Sequence, residues 1–147
     1  MVDIGIYKPK KDMTGAVAQF KMAKDKECMF LELARQNAPM DSPKPYDWEK
    51  TKITVKLGHT DIGKLLALFN GTLPPPREAD KPDLELFHKN PKGSKVISLK
   101  RMPVGFYLRT SIKEGERQDA IALPLSPDEI ELLRIGLRRA YELMLGW

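Results

Sequence analysis

The same spacing of apolar residues occurs twice in this chain, once in each half. In the first half an alternating stretch ends at Gly58, in the second at Ser126, and apolar residues at wider spacing follow each. The matched positions are Ile53, Val55, Leu57, Ile62 and Leu65, and then Ile121, Leu123, Leu125, Ile130 and Leu133. Alternation is typical of a half-buried strand, and spacing of three or four is typical of an amphipathic helix. The pattern predicts a strands-then-helix unit used twice, and it excludes the regular strand–helix alternation of parallel α/β folds.

Further alternating segments predict strands on either side of two proline-rich stretches. These stretches, residues 38–46 and 72–83, hold seven of the 12 prolines and are predicted to be loops, because proline lacks the N–H that ladders need. The predicted strands are residues 16–23, 28–35, 52–57, 84–88, 95–101, 105–113 and 117–125. Turn-like segments join the last four, so we expect an antiparallel meander in the second half.

Two helices are predicted, and the second has the clearer signals. Residues 61–70 form a short one that ends at Gly71. Residues 127–145 follow a predicted capping box, with Ser126 as N-cap and Glu129 at N3. The second helix carries an apolar stripe of Ile130, Leu133, Leu137, Ala140 and Met144, with Leu132, Ile135, Tyr141 and Leu143 beside it. A surface this broad favours a second partner, so we expect a homo-oligomer, with complete burial inside one subunit as the alternative.

The charge distribution favours a polyanionic partner. The net charge of the 147-residue chain is +5, and residues 84–113 carry seven Lys or Arg against one acid, Glu85. A solvated lysine-rich surface is the alternative interpretation. No apolar run is long enough to span a membrane, and the first residues lack the apolar region of a secretory signal. The single cysteine, Cys28, excludes an intramolecular disulfide, so we expect a cytoplasmic protein with no membrane partner.

The catalytic residue types needed for an enzyme do not occur in a recognisable pattern. There are only two histidines, His59 and His88, and no glycine-rich phosphate loop. We therefore expect no catalytic residues, no metal and no cofactor. The alternative is that His88, Asp83 and Glu85 hold the metal ion of a nuclease.

The segment 105–113 shows the pattern of a nucleic-acid-binding strand. Alternation places Tyr107, Arg109 and Lys113 on the face opposite the core residues Phe106 and Leu108. An aromatic ring between cations suits bases that stack while phosphates meet the charges. Lys100 on the neighbouring strand, and Lys52 and Lys56 in the first half, extend the pattern. Any half-exposed sheet also carries Lys and Tyr outward, which is the structural alternative.

Six short motifs, in order, resemble the Whirly family of single-stranded DNA-binding proteins. They cover residues 15–147 and include Tyr46-Asp47-Trp48 before a lysine-rich strand, and Glu85-Leu86-Phe87-His88, similar to the family's Glu-Phe-Phe-His. The others are Ile62-Gly63, the basic strand 96–100, Gly105-Phe106-Tyr107-Leu108, and Leu143-Met144-Leu145-Gly146-Trp147 at the end.

The resemblance implies an α+β fold of two antiparallel four-stranded sheets with helices packed between them, a duplicated ββββα unit with a long C-terminal helix. It implies one domain over residues 1–147, with halves at about 1–71 and 84–147, and a homotetramer. It also implies sequence-tolerant binding of single-stranded DNA in replication, repair or recombination. The alternative is an RNA-binding or annealing protein, or a transcription coactivator.

The N-terminal motif departs from that of the family. Residues 7–12 read Tyr-Lys-Pro-Lys-Lys-Asp where the family has Tyr-Lys-Gly-Lys-Ala-Ala-Leu, so assembly beyond tetramers is not carried over. Burial in the core is an alternative role for Trp48. The predicted nucleic-acid contacts are Tyr7, Lys8, Lys10, Lys21, Trp48, Lys52, Lys56, Lys100, Tyr107, Arg109 and Lys113.

Overall fold

The structure is a computed structural model that describes residues 2–147. Met1, the first residue of the predicted domain, lies outside the described residues. The first half contains β1 (Asp3–Lys8), β2 (Ala16–Met22), β3 (Met29–Arg35), β4 (Ile53–Leu57) and α1 (His59–Phe69). The second half contains β5 (Leu84–Asn90), β6 (Gly93–Arg101), β7 (Phe106–Glu114), β8 (Arg117–Leu125) and α2 (Pro127–Met144).

Each half forms one antiparallel four-stranded sheet in chain order. The first sheet has the order β1-β2-β3-β4 and the second β5-β6-β7-β8. The predicted two-sheet fold with a duplicated ββββα unit is confirmed. Strand β1 had no clear alternation in the sequence, yet it pairs with β2 over its whole length, from Asp3 with Lys21 to Lys8 with Ala16.

Most predicted element ends are correct to within one residue, and the two-residue differences at α1, β5 and β6 have local reasons. Helix α1 begins at His59 rather than at residue 61, because Asp61 lies at N3 and accepts the Gly58 N–H at 3.0 Å. Strand β5 extends to Asn90 because the Asn90 side chain accepts the N–H groups of Lys92 and Gly93 at 2.8 and 3.0 Å. The short turn that results brings β6 into register from Gly93 onward.

The inner faces of the two sheets and one face of each helix share a single hydrophobic core. The repeated strand positions of β4 and β8 are at most 1% exposed: Ile53, Val55, Leu57, Ile121, Leu123 and Leu125. The helices contribute Ile62, Leu65 and Leu68 from α1, and Leu133, Leu137 and Ala140 from α2. Each fully buried Val, Leu or Ile side chain among them contributes about 1.5–3 kcal/mol to folding. Neither helix of residues 2–147 is long and apolar enough to cross a membrane.

Polar contacts tie the two sheets together at the rim of this core. Arg35 of β3 contacts the Asp119 carboxylate of β8 at 2.5 Å and also donates to the Ala120 carbonyl. Burial opposes ionisation of Asp119, but the hydrogen bonds from Arg35 and the Ala120 N–H, together with the charges of Arg35 and Arg117, outweigh it and lower the pKa of that carboxyl. Arg117 reaches back to the carbonyls of Thr51 and Lys52 at 3.1 and 3.2 Å. The relative placement of the sheets is therefore held by directional bonds as well as by packing.

The predicted capping box of α2 is confirmed, and it receives a partner from β1. The Ser126 N–H donates to Glu129 Oε1 at 2.9 Å. The Lys8 ammonium lies 2.6 Å from the same oxygen, with both side chains partly buried. Burial opposes ionisation of Glu129, yet the bonds from Lys8 and Ser126 lower its pKa overall. Lys8 thus connects the first strand of the chain to the start of its last helix.

Replacing Lys8 with Met should lower the free energy of unfolding by about 1 kcal/mol at pH 7, because Glu129 loses its charged partner. The lowered folded-state pKa of Glu129 means that the contribution is present above its unfolded pKa of about 4.3. It disappears as the pH falls through the lowered value. Urea unfolding at pH 7 and at low pH measures both. Lys10→Met is the control, and equal stability of the two variants at pH 7 would contradict the assignment.

Candidate nucleic-acid interface

The outer face of the first sheet carries aromatic, amide and basic side chains. Because strand residues alternate between faces, the positions next to the core residues point outward. The register places Lys21, Phe30 and Lys56 in one row across β2, β3 and β4. Gln19, Glu32 and Thr54 form the adjacent row. This face therefore offers flat rings and cations side by side.

An aromatic cleft of about 660 Å³ lies at the β1 side of this face. Its walls are Tyr7 and Gln19 from the sheet, and Tyr46 and Trp48 from the loop that precedes β4. The rings of Tyr7 and Tyr46 have centroids 6.2 Å apart and are tilted by 41°. Trp48 is half-buried and lines the cleft rather than joining the core cluster. A cleft of this shape can hold a planar ring against aromatic faces.

The buried side chain of Gln36 fixes the backbone around the aromatic cleft. Its amide oxygen accepts the N–H groups of Lys10 and Gly15 at 2.7 and 3.0 Å. Its amide nitrogen donates to the carbonyls of Lys10 and Ala38 at 2.9 and 3.0 Å. A side chain at Gly15 would place its Cβ 2.1 Å from the Lys8 carbonyl, so only glycine permits this approach. The cleft is preformed, because both segments that flank it are pinned to the same amide.

Tyr46 holds an unpartnered hydroxyl in the wall of the aromatic cleft. Among the described residues no group forms a hydrogen bond with this buried oxygen. Burial raises the pKa of Tyr46, and the nearby Tyr7 adds to the effect, so the group is a neutral hydroxyl at physiological pH. Its O–H is therefore an unsatisfied donor in the free protein.

Exposed lysines lie on the outer face of the first sheet (the first-sheet face) beyond the aromatic cleft. The ammonium groups of Lys21 and Lys52 each lie 3.4 Å from an oxygen of Glu32, and both side chains are 45% exposed. A second cleft of about 430 Å³ runs between them and Phe30. The lysine ends of these ion pairs reach solvent, so both ammonium groups are open to a phosphate as well as to the carboxylate.

The outer face of the second sheet forms a separate cationic surface. Lys100 pairs with Tyr107 in the register, and Tyr107 is 41% exposed. Arg109 and Lys113 line a cleft of about 630 Å³ along β7. Lys100 donates to the carbonyls of Ala79 and Lys81 at 2.8 and 3.2 Å, so it also holds the proline-rich loop in place.

Solved structures with the same arrangement of strands and helices are known. The crystal structure of WHY3 from Arabidopsis thaliana has a TM-score of 0.71 and 19% identity, covering 100% of this chain and 90% of that chain. The plant transcriptional regulator PBF-2 has a TM-score of 0.69 and 21% identity, covering 99% and 83%. The chain has a Whirly-like fold.

The same fold occurs in a guide-RNA-binding protein complex bound to a guide RNA. That structure has a TM-score of 0.72 and 11% identity, and the match covers 99% of this chain and 92% of that chain. No protein-family model and no curated protein sequence matches the chain.

Within this Whirly-like fold the predicted contacts divide into two groups. The outer side of the first sheet and its loops carry Tyr7, Lys10, Lys21, Trp48, Lys52 and Lys56. The outer face of the second sheet carries Lys100, Tyr107, Arg109 and Lys113. Both faces point away from the shared core. Lys8 lies apart from both groups, because it follows the inward positions Ile4 and Ile6 and binds Glu129.

Three residues of these surfaces were not among the predicted contacts. Tyr46 and Lys44 line the aromatic cleft, and Phe87, which is 72% exposed, lies on the outer face of β5. Alternation with the buried Leu84 and Leu86 is the signal that would have identified Phe87. Tyr46 was marked by the Tyr46-Asp47-Trp48 motif but by no alternation, because its position depends on the bridge between its loop and Gln36.

The alternative metal site of a nuclease is wrong. His88 lies 3.3 Å from Asp61 Oδ2, on the inner side of β5, whereas Glu85 points outward. Asp83 accepts the Arg101 N–H at 2.6 Å instead of facing His88. Over residues 2–147, no group of three or more His, Cys, Asp or Glu lies close enough together to hold a metal ion.

Replacing Tyr46 with Phe should raise the free energy of unfolding by about 1 kcal/mol, because the variant no longer buries a hydroxyl without a partner. The ring and its packing against Tyr7 remain. Urea denaturation of the two proteins side by side gives the difference. A loss of stability of similar size would show that the hydroxyl is hydrogen-bonded in the free protein.

Proposed function

We propose that this protein binds single-stranded nucleic acid with little sequence preference, and that single-stranded DNA is its main partner. The observation that carries the proposal is the preformed aromatic cleft of Tyr7, Tyr46 and Trp48, which opens on a face lined with lysines. The guide-RNA-binding complex, which has the same fold at 11% sequence identity, supports it.

The geometry favours single strands over duplexes for a physical reason. Bases in a duplex are stacked and paired, so their faces are not available to Tyr7, Tyr46 or Trp48. Bases of a single strand can stack on these rings, and every base has a face to offer, so the preference among sequences is small. The lysines of the first-sheet face would meet the phosphates and make the affinity depend on salt.

RNA is the alternative partner, and a role as transcription coactivator is the alternative use. The guide-RNA-binding complex shows that this fold occurs in a protein bound to RNA, and PBF-2 is described as a transcriptional regulator. Stacking and phosphate contacts do not distinguish RNA from DNA; contacts to the 2′-hydroxyl do. We infer a binding protein rather than an enzyme, acting in the cytoplasm in DNA replication, repair or recombination.

A homotetramer is the proposed assembly. Helix α2 buries one stripe, but Leu132 and Ile135 on its other side are 50% and 57% exposed. Covering these side chains with a second copy would remove apolar surface from water. The separation of the two groups of contacts also favours assembly, because copies placed side by side would present several faces to one flexible strand.

Replacing Trp48 with Ala should weaken binding of a thymidine oligonucleotide by about 1–3 kcal/mol, because one stacking surface is removed. Fluorescence anisotropy measures this, with matched single-stranded DNA, duplex DNA and RNA as ligands. Trp147→Ala is the control, since Trp147 is 80% exposed and lies outside the cleft. Equal affinity for duplex and single strand, or an affinity independent of salt, would refute the proposed function.

Light scattering should give a mass of about four times the 16.7 kDa of one chain. Replacing both Leu132 and Ile135 with Glu should lower that mass without unfolding the subunit, because both side chains are exposed in it. Substitution of the exposed Lys64 of α1 with Glu should leave the mass unchanged. A wild-type protein with the mass of a single chain at micromolar concentration would contradict the assembly.

A further inference from the structure

A third basic cleft lies where the β5–β6 hairpin passes the edge strand β4. This junction cleft has a volume of about 340 Å³ and is lined by Phe30, Thr54, Val55, Lys56, His88, Lys89, Asn90 and Lys95. Three of these side chains are lysines, and the lining residues include no carboxylate. The cleft therefore concentrates positive charge between the two sheets.

The hairpin that forms one wall of the junction cleft is fixed in place. Lys95 Nζ donates to the Thr54 carbonyl of β4 at 2.6 Å. His88, on the other strand of the hairpin, lies 3.3 Å from Asp61 in the first turn of α1. His88 follows the inward-facing Leu86 by two residues, and Lys95 precedes the inward-facing Ile97 by two. Both side chains therefore lie on the inner side of the hairpin, nearer its turn. The cleft is therefore held open by contacts to both β4 and α1.

The ammonium groups around the junction cleft have unused donors. An ammonium has three N–H groups, and Lys95 uses one for Thr54. Lys56 and Lys89 are exposed, and neither forms an ion pair in the part of the chain that the structure describes. Cations that converge without a carboxylate repel one another until an anion enters, and a phosphate oxygen is a strong acceptor for them.

The junction cleft continues the face proposed to bind the strand. Phe30 and Thr54 line both this cleft and the neighbouring cleft between Lys21 and Lys52. Strands lie about 4.8 Å apart, so the path from β1 to β4 is on the order of 14 Å long. A strand that stacks in the aromatic cleft and crosses the first sheet would thus arrive at the β5–β6 hairpin.

We propose that the junction cleft binds a phosphate group of the strand, held by Lys56, Lys89 and Lys95. The inference rests on the proposed function and extends it, because it assigns to one subunit a continuous path from the first sheet onto the second. The phosphate is either an internal phosphodiester or the phosphomonoester at a strand end, since both present the same oxygens to the ammonium groups.

The test compares two double variants with the same change in charge. Lys89→Gln with Lys95→Gln removes two of the three lysine charges of the cleft while keeping polar side chains at both positions. Lys64→Gln with Lys92→Gln is the control, because Lys92 is in the turn of the same hairpin but does not line the cleft. Lys89→Gln alone is a third variant, because the exposed Lys89 side chain forms no hydrogen bond or ion pair with the rest of residues 2–147.

Anisotropy titrations with a long thymidine oligonucleotide should show about tenfold weaker binding for the cleft double variant. The slope of log affinity against log salt should fall by about 0.7 for each phosphate that the variant no longer neutralises. The control should change neither. Oligonucleotides with 5′-hydroxyl and 5′-phosphate ends distinguish the sources, since weakening of both assigns an internal phosphate and weakening of the phosphorylated one alone assigns a strand end.

Equal affinities and slopes for the cleft variants and the control would overturn the junction site while leaving the proposed function intact. A wild-type protein that binds no single strand at low salt would instead refute the proposed function, and the phosphate site with it.

Discussion

Both sheets turn one face toward the same hydrophobic core, and the rest of the structure depends on this constraint. Strand side chains alternate, so most inward positions of each strand must be apolar to fill the space between the sheets. Leu57 of β4 and Leu125 of β8 do so at equivalent places before each helix. Polar and aromatic groups that contact a ligand are thereby restricted to the outer faces, the strand ends and the loops. Tyr7 is available because Ile6 beside it is buried.

The contacts at the rim of the core also shape the clefts. Arg35 ties β3 to Asp119 of β8, and both residues line the cleft that contains Arg109 and Lys113. Lys95 ties the β5–β6 hairpin to β4 and lines the junction cleft. The same bonds that set the placement of the sheets therefore preorganise the surfaces. A preformed surface needs less ordering when a ligand binds, so more of the interaction energy remains as affinity.

Local patterns in the sequence predicted those parts of the structure that depend on near neighbours. Alternation predicted the buried and exposed faces of β4 and β7, and the capping box predicted the start of α2. The alternation of apolar residues did not predict strand β1, because it consists there of only Ile4 and Ile6 with Gly5 between them. The aromatic cleft was not predicted as a unit, because Tyr46 reaches Tyr7 only through the loop that Gln36 holds. The ion pair between Lys8 and Glu129 was not predicted either, because the two residues are near opposite ends of the chain.

The lysines of the first-sheet face differ in how readily they can meet a phosphate. Lys21 and Lys52 share Glu32, so a phosphate must displace a carboxylate that already screens their charge. Lys56, in the same row as Lys21, has no such partner among the described residues and faces the junction cleft. The ion pairs with Glu32 fix the positions of Lys21 and Lys52 when no strand is bound, and they weaken the attraction of these lysines for a strand. The unpaired lysines at the junction keep theirs, so the electrostatic attraction along this path should be greatest where the two sheets meet.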